Sequence, residues 1–424
     1  MIYRRAIGYL ESFIDLEKVP AWPYKRSLKL DRLTAFLDLI SNPQKSLRCV
    51  HVAGTKGKGS TCAFIAYILR EAGYKTGLYT SPHLNDFRER IRILKPLTPD
   101  HKPPADFEGM ISRPELARIT EELRPVIESF NKKSKDGALS FFEVYTALAF
   151  IYFKKKKVDF AVLETGLGGR LDATNTVDAL VSVITPISYE HTQKLGNTLA
   201  KIATEKAGII KSRQLVVISA PQKQEVLKVI RNKCKESGVK LHEIKGPALP
   251  NNYKISLLGG HQKINASVAI KTVKALRDYG FKISNRAIKQ GLIHTVWPGR
   301  CEVVSKFPKV VLDGAQNTAS ARVIKKAIQN NFDYNKLILV LGISSDKDVK
   351  GVAGELKPMA DEVILTRADN PRAANPQKLV RYFNGKKTYL TLNVKQAKAK
   401  ALSLTGRKDL ILVTGSLFVV GEFR

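Results

Sequence analysis

The chain has 424 residues, 44% hydrophobic and 26% charged, so it is long enough for two globular domains and its composition excludes a disordered protein. Lys and Arg exceed Asp and Glu by 71 to 38, a formal net charge of +33, which fits either a nucleic-acid partner or the attraction of small anions. Because the basic residues are dispersed and not interleaved with aromatic residues, no nucleic-acid partner is predicted.

The cysteines and the N-terminal segment indicate the compartment. The four cysteines lack C-x-x-C spacing, which excludes a zinc site of that type and a disulfide framework and is typical of a reduced compartment. The first 13 residues contain charges and no uninterrupted apolar run, so neither a secretory signal nor a membrane span is expected. We therefore predict a cytoplasmic protein that does not contact a membrane, and expect a monomer.

Apolar spacing predicts alternating helices and strands along residues 1–295. The predicted helices are 3–13, 30–40, 63–69 continuing towards Gly73, 116–130, 141–153, 198–207, 224–235, 265–278 and 286–292. The predicted strands are 47–53, 75–79, 160–163, 180–187, 215–218 and 239–243. Residues 95–114, rich in proline and charge, are predicted to form a flexible covering loop. The alternation favours a parallel sheet with helices on both faces.

A second alternation of strands and helices starts at Glu302, after residues 295–300 break the pattern, and we place the domain boundary near residue 295. Its predicted strands are 310–312, 336–341, 362–366 and 410–413, and its predicted helices are 319–329, 349–356, 376–383 and 395–403. The predicted fold class is therefore α/β, with a phosphate-loop parallel-sheet ATPase domain (1–295) followed by a smaller Rossmann-like domain (296–424).

Residues 51–62 (HVAGTKGKGSTC) are predicted to form the phosphate site of the first domain. An apolar strand is followed by Gly54, Gly57 and Gly59 and then by residues at helical spacing. In a strand–loop–helix of this kind the backbone N–H groups converge on one point, and Lys58 adds a positive charge. We call residues 54–61 the phosphate loop.

The hydroxyls of Ser60 and Thr61 are placed to reach a magnesium ion on bound phosphates. The loop departs from the common G-x-x-x-x-G-K-[ST] pattern, since Val52 stands in place of the first glycine and Gly59 separates the lysine from the serine. The alternative is a tight turn without a ligand.

Polar residues follow the ends of three predicted strands: Ser81, Glu164 and His191. The carboxyl ends of parallel strands meet at one edge of a sheet, where ligands bind, and Glu164 is the expected magnesium ligand there. The alternatives are a helix-capping acid for Glu164 and a packed or surface role for His191.

Other loops at strand ends carry candidate ligand residues. The glycines at 166–169 precede Arg170 and Asp172, which suit a polar substrate, although the segment could be only a flexible turn. In the second domain, residues 313–317 and 415–416 follow strands at the same functional edge, so Asp313 and Ser416 are candidates.

Further motifs appear in a fixed order along the chain. They are HVAGTKGKGST (51–61), TSPHL (80–84), FRERIRI (87–93), SFFEVYTALAF (140–150), ETGLGGRLDATN (164–175), EHTQKLGNTLAKIATEKAGIIK (190–211), GGHQKINASVA (259–269), WPGRCE (297–302), LDGAQN (312–317), SSDKD (344–348) and GSLFVVGEFR (415–424). From about residue 30 onwards the chain thereby resembles the folylpolyglutamate synthase/dihydrofolate synthase family of the Mur ligase superfamily.

The resemblance implies a Mur ligase-like, ATP-dependent amide ligase of folate biosynthesis, polyglutamylation and one-carbon metabolism. ATP would phosphorylate a carboxylate of dihydropteroate or of a reduced folate, and the amine of L-glutamate would attack the acyl phosphate. Since an acyl phosphate hydrolyses readily, closure of the domains around it is expected. Two alternatives are a Mur-superfamily ligase that joins another amino acid to a different carboxylate and a nucleotide-dependent regulatory protein that binds nucleic acid.

The resemblance also implies the roles of individual residues. The triphosphate would be held by the phosphate loop from Gly54, with Lys58 as its central cation, and two Mg²⁺ ions by Ser81, Glu164 and His191. Lys206 matches the family's carbamylated lysine, an anion that would support magnesium. Nucleotide contacts from across the cleft are implied for Asn265, Arg300 and Asp313, and pterin contacts for Ser140, Phe141, Phe142, Glu143, Leu171, Asp172 and Ala173.

The chain departs from the family pattern at two positions. Lys56, which lies between Thr55 and Gly57 in the phosphate loop, stands where the family usually has asparagine. It adds a cation beside the phosphates. Gln316 stands where the family usually has histidine, at a site implicated in glutamate and acyl-phosphate handling. Glutamine cannot titrate near neutral pH, so only neutral hydrogen bonding is expected from it.

Overall fold

In a computed structural model, which describes residues 2–17, 19, 23–97 and 106–424, the chain divides into two units that each contain their own sheet. The first unit takes the chain up to Pro82 together with Phe87–Ser256 and Gln262–Val296. The second unit takes His83–Asp86, Leu257–His261 and Trp297–Arg424.

The first unit is built on a seven-stranded sheet in the order β3-β2-β4-β1-β5-β6-β7. All neighbouring strands are parallel except β3, which runs antiparallel to β2 at one edge. The strands are β1 Cys49–Ala53, β2 Thr76–Tyr79, β3 Ile91–Leu94, β4 Phe160–Glu164, β5 Ala179–Ile184, β6 Val216–Ser219 and β7 Leu241–Glu243.

Both faces of this sheet are covered by helices, and its central strands β1 and β4 are buried throughout, as parallel sheets require. Two apolar clusters lie on one face of the sheet, one around α6 and one around α8 and α9. The helices are α1 Ile2–Glu11, α2 Tyr24–Ser27, α3 Leu30–Leu39, α4 Lys58–Glu71, α5 Arg113–Lys133, α6 Phe141–Lys155, α7 Thr192–Leu195, α8 Leu199–Ala207, α9 Gln224–Ser237, α10 Gly260–Asp278 and α11 Asn285–His294.

The second unit is built on a six-stranded sheet in the order β12-β11-β10-β13-β9-β8, parallel except for β8, which is antiparallel to β9. Its strands are β8 Glu302–Lys306, β9 Lys309–Leu312, β10 Leu337–Leu341, β11 Glu362–Leu365, β12 Lys387–Leu390 and β13 Leu410–Thr414. Its helices are α12 Thr318–Asn331, α13 Val349–Leu356, α14 Pro376–Leu379, α15 Val394–Leu404 and α16 Leu417–Phe423.

The predicted α/β class is confirmed, and the main departures lie at the sheet edges. The antiparallel edge strands β3 and β8, the edge strand β12 and the last helix α16 were not predicted. The predicted helix 376–383 is wrong beyond Leu379, where a 3₁₀ turn continues, and the predicted strand 180–187 ends at Ile184. Of the predicted covering loop 95–114, residues 98–105 lie outside the described part of the chain, and α5 already begins at Arg113.

None of the helices within the described ranges combines the length and apolar character that crossing a membrane requires.

Candidate active site

The phosphate loop connects β1 to α4 at the centre of the first sheet. Gly57 caps α4 with φ 81°, and Gly54 has φ 149°. A Cβ on Gly57 would lie 2.2 Å from the Asn265 Oδ1, and a Cβ on Gly54 would lie 1.9 Å from the Thr185 Oγ1. Both positions therefore require glycine, and the 14-residue helix α4 directs its first N–H groups into the loop.

Glu164, the last residue of β4, lies beside the phosphate loop. The Lys58 Nζ is 4.0 Å from the Glu164 Oε1, and both side chains are largely buried. The backbone N–H of Ser81 donates to the Glu164 Oε2 at 3.2 Å. Ser81 follows β2, which β4 separates from β1 in the sheet, so Ser81 meets the site through Glu164.

Residues 185–191, which follow β5 and which we call the Pro186 segment, run alongside the phosphate loop. The backbone N–H groups of Thr55 and Lys56 both donate to the Pro186 carbonyl at 3.1 Å. The segment ends at His191, an exposed residue with φ 52° whose carbonyl accepts the first hydrogen bonds of α7. The structure therefore places His191 after the strand next to β1, on a segment bonded to the loop.

An ion pair connects the end of the Pro186 segment to the phosphate loop. The Lys56 Nζ lies 3.0 Å from the Glu190 Oε1. Burial alone would raise the pKa of Glu190, but Lys56 and His191 outweigh it and lower that pKa to about 2. Glu190 is therefore ionised at neutral pH. Lys56, which stands where the resembled family usually has asparagine, thus pairs with a charged carboxylate.

Lys206 on α8 is buried, with 5% of its surface exposed, and points at the phosphate loop. Its Nζ donates to the Gly54 carbonyl at 2.6 Å. Burial, followed by repulsion from Lys58, lowers the pKa of Lys206 to about 7. A substantial neutral fraction of this amine is thus present at neutral pH. From the residues alone Lys206 reads as a solvated helix position, and the structure contradicts that interpretation.

Asn265 and Gln262 of α10 support the loop from one helix face. The Asn265 amide lies against Gly57 and donates to the Gln262 Oε1 at 2.9 Å. The Gln262 Nε2 donates in turn to the Ser60 Oγ at 3.3 Å. Gln262 is fully buried and was missed by the sequence argument. Its spacing of three residues from Asn265, which puts both on one helix face, is the signal that could have found it.

The oxygen atoms around the loop suit a hard divalent cation. The Thr61 Oγ1 is buried and has no hydrogen-bond partner among the residues that the structure describes. Hydroxyl and carboxylate oxygens, here from Thr61 and Glu164, are the ligands that Mg²⁺ prefers. The described residues contain no cluster of three or more His, Cys, Asp or Glu side chains arranged to hold a metal. Such a cation would therefore depend on hydroxyl and phosphate oxygens as well.

The segment 140–143, a predicted pterin site, begins α6 with a capping box. The Glu143 carboxylate accepts from the Ser140 N–H at 2.8 Å and from both Arg32 Nε and Nη2 at 3.0 and 2.7 Å. Phe141 is buried against the Tyr145 ring. Of the four side chains only Phe142 is partly exposed. The polar side chains of this segment are thus bonded within the protein.

The second predicted pterin segment, 171–173, is also held internally. Asp172 accepts from the Leu167 N–H at 2.9 Å and from the Thr174 N–H and hydroxyl. Burial raises the pKa of Asp172. The Thr174 Oγ1 lies 2.7 Å from the His51 Nε2, so this segment is hydrogen-bonded to β1. The neighbouring Arg170 forms an ion pair with Glu205.

In the second unit, Arg300 and Asp313 lie close together at the end of β9. Asp313 accepts from the backbone N–H groups of Cys301 at 2.8 Å and Ala315 at 2.9 Å. Burial raises the pKa of Asp313, and Arg300 opposes that shift. Ser416 caps α16, and the Gln316 N–H donates to the Ser320 hydroxyl at 3.1 Å. These residues form a polar rim at the strand ends of the second sheet.

Comparison with known proteins identifies the family of the chain. Residues 299–417 match the family model described as Mur ligase, glutamate ligase domain. The Bacillus subtilis dihydrofolate synthase/folylpolyglutamate synthase is 33% identical over 419 residues, covering 93% of this chain and 94% of the relative. The Escherichia coli enzyme of the same name is 33% identical, covering 88% of this chain and 84% of the relative.

Solved structures agree with these relatives. The Mycobacterium tuberculosis folylpolyglutamate synthase complexed with ADP superposes with a TM-score of 0.86 at 30% identity, covering 99% of this chain and 97% of that one. The E. coli FolC structure in complex with DHPP and ADP gives a TM-score of 0.80 at 29% identity, covering 99% and 96%. The chain therefore belongs to the dihydrofolate synthase/folylpolyglutamate synthase family of ATP-dependent ligases.

Proposed function

We propose that this protein joins L-glutamate to the carboxylate of dihydropteroate, to the γ-carboxylate of reduced folates, or to both. The carboxylate oxygen attacks the γ-phosphorus of ATP and ADP leaves, which gives an acyl phosphate. The glutamate amine then attacks the acyl carbon, forms the amide bond, loses a proton and displaces inorganic phosphate. Family membership and the arrangement around the phosphate loop support this reaction.

The observation that carries the proposal is the phosphate loop itself. Thr185 and Asn265 leave no room for a side chain at Gly54 and Gly57, respectively. The Lys58 Nζ lies 4.0 Å from the Glu164 Oε1. Such a loop presents backbone N–H donors and a lysine to a triphosphate, which is what phosphoryl transfer between two anions needs. We propose residues 54–61 and Asn265 as nucleotide ligands from the first unit, with Arg300 and Asp313 as ligands from the second.

Ser81, Glu164 and His191 are the proposed holders of Mg²⁺, and the buried Thr61 hydroxyl fits the same role. Magnesium bound there would neutralise charge on the phosphates. Glu164 is kept in place by the Ser81 N–H, and the Pro186 segment sets the position of His191. These contacts orient the oxygen and nitrogen ligands before a nucleotide arrives.

Carbamylation of Lys206 is a further part of the proposal. The neutral amine adds to CO₂ and releases one proton, which leaves a carbamate anion on Nζ. A pKa of about 7 supplies the neutral amine that this addition needs. The product retains an N–H on Nζ, so the bond to the Gly54 carbonyl can persist in the carbamate.

For the organic substrate we propose segments 140–143 and 171–173 as the pterin site, with Gln316 serving glutamate and Ser416 as a further substrate-binding residue. Phe142 is the partly exposed member of the first segment and lies against Gly166, two residues beyond Glu164. A pterin ring could therefore meet this surface through Phe142 and the backbone. The proposed domains are 1–295 for the nucleotide and 296–424 for the glutamate ligase domain.

The test is phosphate release from ATP with Mg²⁺ and L-glutamate, with 7,8-dihydropteroate or tetrahydrofolate as the acceptor and product masses as the readout. Glutamate addition to dihydropteroate establishes dihydrofolate synthase activity, and addition to tetrahydrofolate establishes polyglutamylation. Lys58→Met is expected to abolish turnover with both acceptors. If neither acceptor gains glutamate while nucleotide still binds, the folate assignment is wrong and Gln316 is the first residue to examine.

A further inference from the structure

The first part of the Pro186 segment, residues 185–188, is hydrogen-bonded to the end of β1 and to the phosphate loop. The Thr185 N–H donates to the Ala53 carbonyl at 2.8 Å, and the Pro186 carbonyl accepts from the N–H groups of Thr55 and Lys56. The Thr55 hydroxyl donates to the Ser188 carbonyl and accepts from the Ser188 N–H, each at 3.2 Å. These bonds fix the first part of the segment relative to the loop.

A different kind of contact connects the later part of the segment to the loop. After Ser188 the Lys56 Nζ forms an ion pair with the Glu190 Oε1 at 3.0 Å. Lys56 is 33% exposed and Glu190 16%, so the pair is partly shielded from water. The next residue, His191, has a left-handed backbone, φ 52°, which a non-glycine residue holds only when its surroundings constrain it.

We propose that Lys56 and Glu190 are positioning residues whose ion pair fixes His191 relative to the phosphate loop and so sets the affinity of the nucleotide–Mg²⁺ complex. The inference rests on the proposed function, because His191 is a metal ligand only there. It also assigns Lys56 a role beyond that of a cation beside the phosphates. Lys56 acts on the metal site through Glu190 and the backbone of His191.

The electrostatic field of Lys56 and its positioning role predict opposite effects of Lys56→Met on Mg²⁺ binding. Lys56→Met removes a cation near the proposed metal site, so the field alone would improve Mg²⁺ binding. If the ion pair positions His191, the same change impairs Mg²⁺ binding. A direct effect of Lys56 on the phosphates would weaken ADP equally with and without metal. The ratio of ADP affinity in Mg²⁺ to ADP affinity in EDTA therefore separates these roles.

The experiment measures ADP binding by titration calorimetry, with Mg²⁺ and with EDTA, on the full-length chain. Lys56→Met and Glu190→Gln are each expected to lower the affinity ratio about fivefold, the size of a partly shielded ion pair. The double variant is expected to be no worse than either single one, because both remove the same contact. Lys56→Arg, which can keep the ion pair, is expected to have an affinity ratio close to that of the wild type.

Lys336→Met is the matched control. The Lys336 Nζ lies 2.6 Å from the Glu362 Oε1 in the second unit, and the two side chains are 30% and 12% exposed, close to the values for the proposed pair. This variant is expected to leave the ratio unchanged. Thermal unfolding of every variant shows whether a lower affinity ratio results from a destabilised fold.

Each outcome decides between the two claims. If Lys56→Met raises the ratio or leaves it at the wild-type value, the positioning role is wrong while the proposed function stands. If the wild-type protein binds ADP with the same affinity in Mg²⁺ and EDTA, the proposed metal site is wrong and the positioning role falls with it. Additive losses in the double variant would also contradict a shared contact.

Discussion

The phosphate loop and the segment 140–143 were both predicted to bind ligands, and the fold treats them differently. In the loop the Thr61 hydroxyl is buried without a partner among the described residues. In the segment the Glu143 carboxylate is bonded to Arg32 and Ser140. Polar residues in a motif can thus be used by the fold itself, whereas the Thr61 hydroxyl is not paired within the fold and fits contact with a ligand.

The largest expected effect comes from Glu143→Ala. The change leaves the buried Arg32 guanidinium without its carboxylate and removes the capping box of α6. We expect the free energy of unfolding to fall by about 3 to 5 kcal/mol, while the affinity for ADP with Mg²⁺ stays at the wild-type value. Urea unfolding and calorimetry measure the two quantities.

Glu128→Ala is the control for that variant, since Glu128 pairs with Arg124 on the surface and both are exposed. It is expected to change the free energy of unfolding by less than about 1 kcal/mol. A similarly small effect of Glu143→Ala would mean that the hydrogen bonds of segment 140–143 do not stabilise the fold. The contrast between this segment and the phosphate loop would then be wrong.

Gly57→Ala tests the other side of the comparison. The added Cβ would lie 2.2 Å from the Asn265 Oδ1 at a residue with φ 81°, so the loop must shift. We expect ADP affinity to fall about 100-fold, equivalent to about 2.7 kcal/mol. Gly73→Ala is the matched control, because Gly73 has φ 90° but nothing within 4 Å of the added atom. Gly73→Ala is expected to leave ADP affinity unchanged, and equal losses for both variants would show that the loss reflects a general effect on the fold rather than contact with Asn265.

Lys206→Met has the smallest expected effect, and it appears as a pH dependence. Burial lowers the pKa of Lys206 to about 7 in the folded protein, while the unfolded chain titrates near 10.5. Between these values the unfolded state binds one more proton, so this residue makes stability rise with pH. The stability of wild type relative to Lys206→Met should increase by about 2 kcal/mol from pH 7 to pH 9.

That measurement uses urea unfolding in buffer free of bicarbonate, so that carbamylation does not contribute. Lys201→Met, at an exposed position of the same helix, is the control and should show no such increase. A flat difference for Lys206→Met across the pH range would mean that the folded protein accommodates the charged amine without cost.

The sequence was sufficient for the local geometry around the candidate site, which depends on local pattern. Glycines between an apolar strand and a helix predicted the phosphate loop, and Glu164 was predicted from its place directly after a buried strand. The α/β class followed from hydrophobic periodicity, because parallel strands buried on both faces read as continuous apolar runs.

Features that depend on long-range contacts could not be predicted in that way. Lys206 follows an ordinary helical pattern, and only the packing of α8 against the loop shows that it is buried. The partner of Lys56 is 134 residues away, at Glu190. The edge strands β8 and β12 are partly exposed, which leaves them a weaker apolar pattern. The edge strand β3 is buried but has only four residues, one of them the charged Arg92.

The position of β1 has a consequence for how the site responds to local opening. β1 pairs with β4 on one side and β5 on the other, with further strands beyond each of them. Its amides are therefore expected to exchange with solvent only when the whole sheet opens, whereas β3 and β7 at the edges can fray on their own. The phosphate loop thus extends from a strand at the centre of its sheet, and transient loss of an edge strand leaves the bonds of β1 intact.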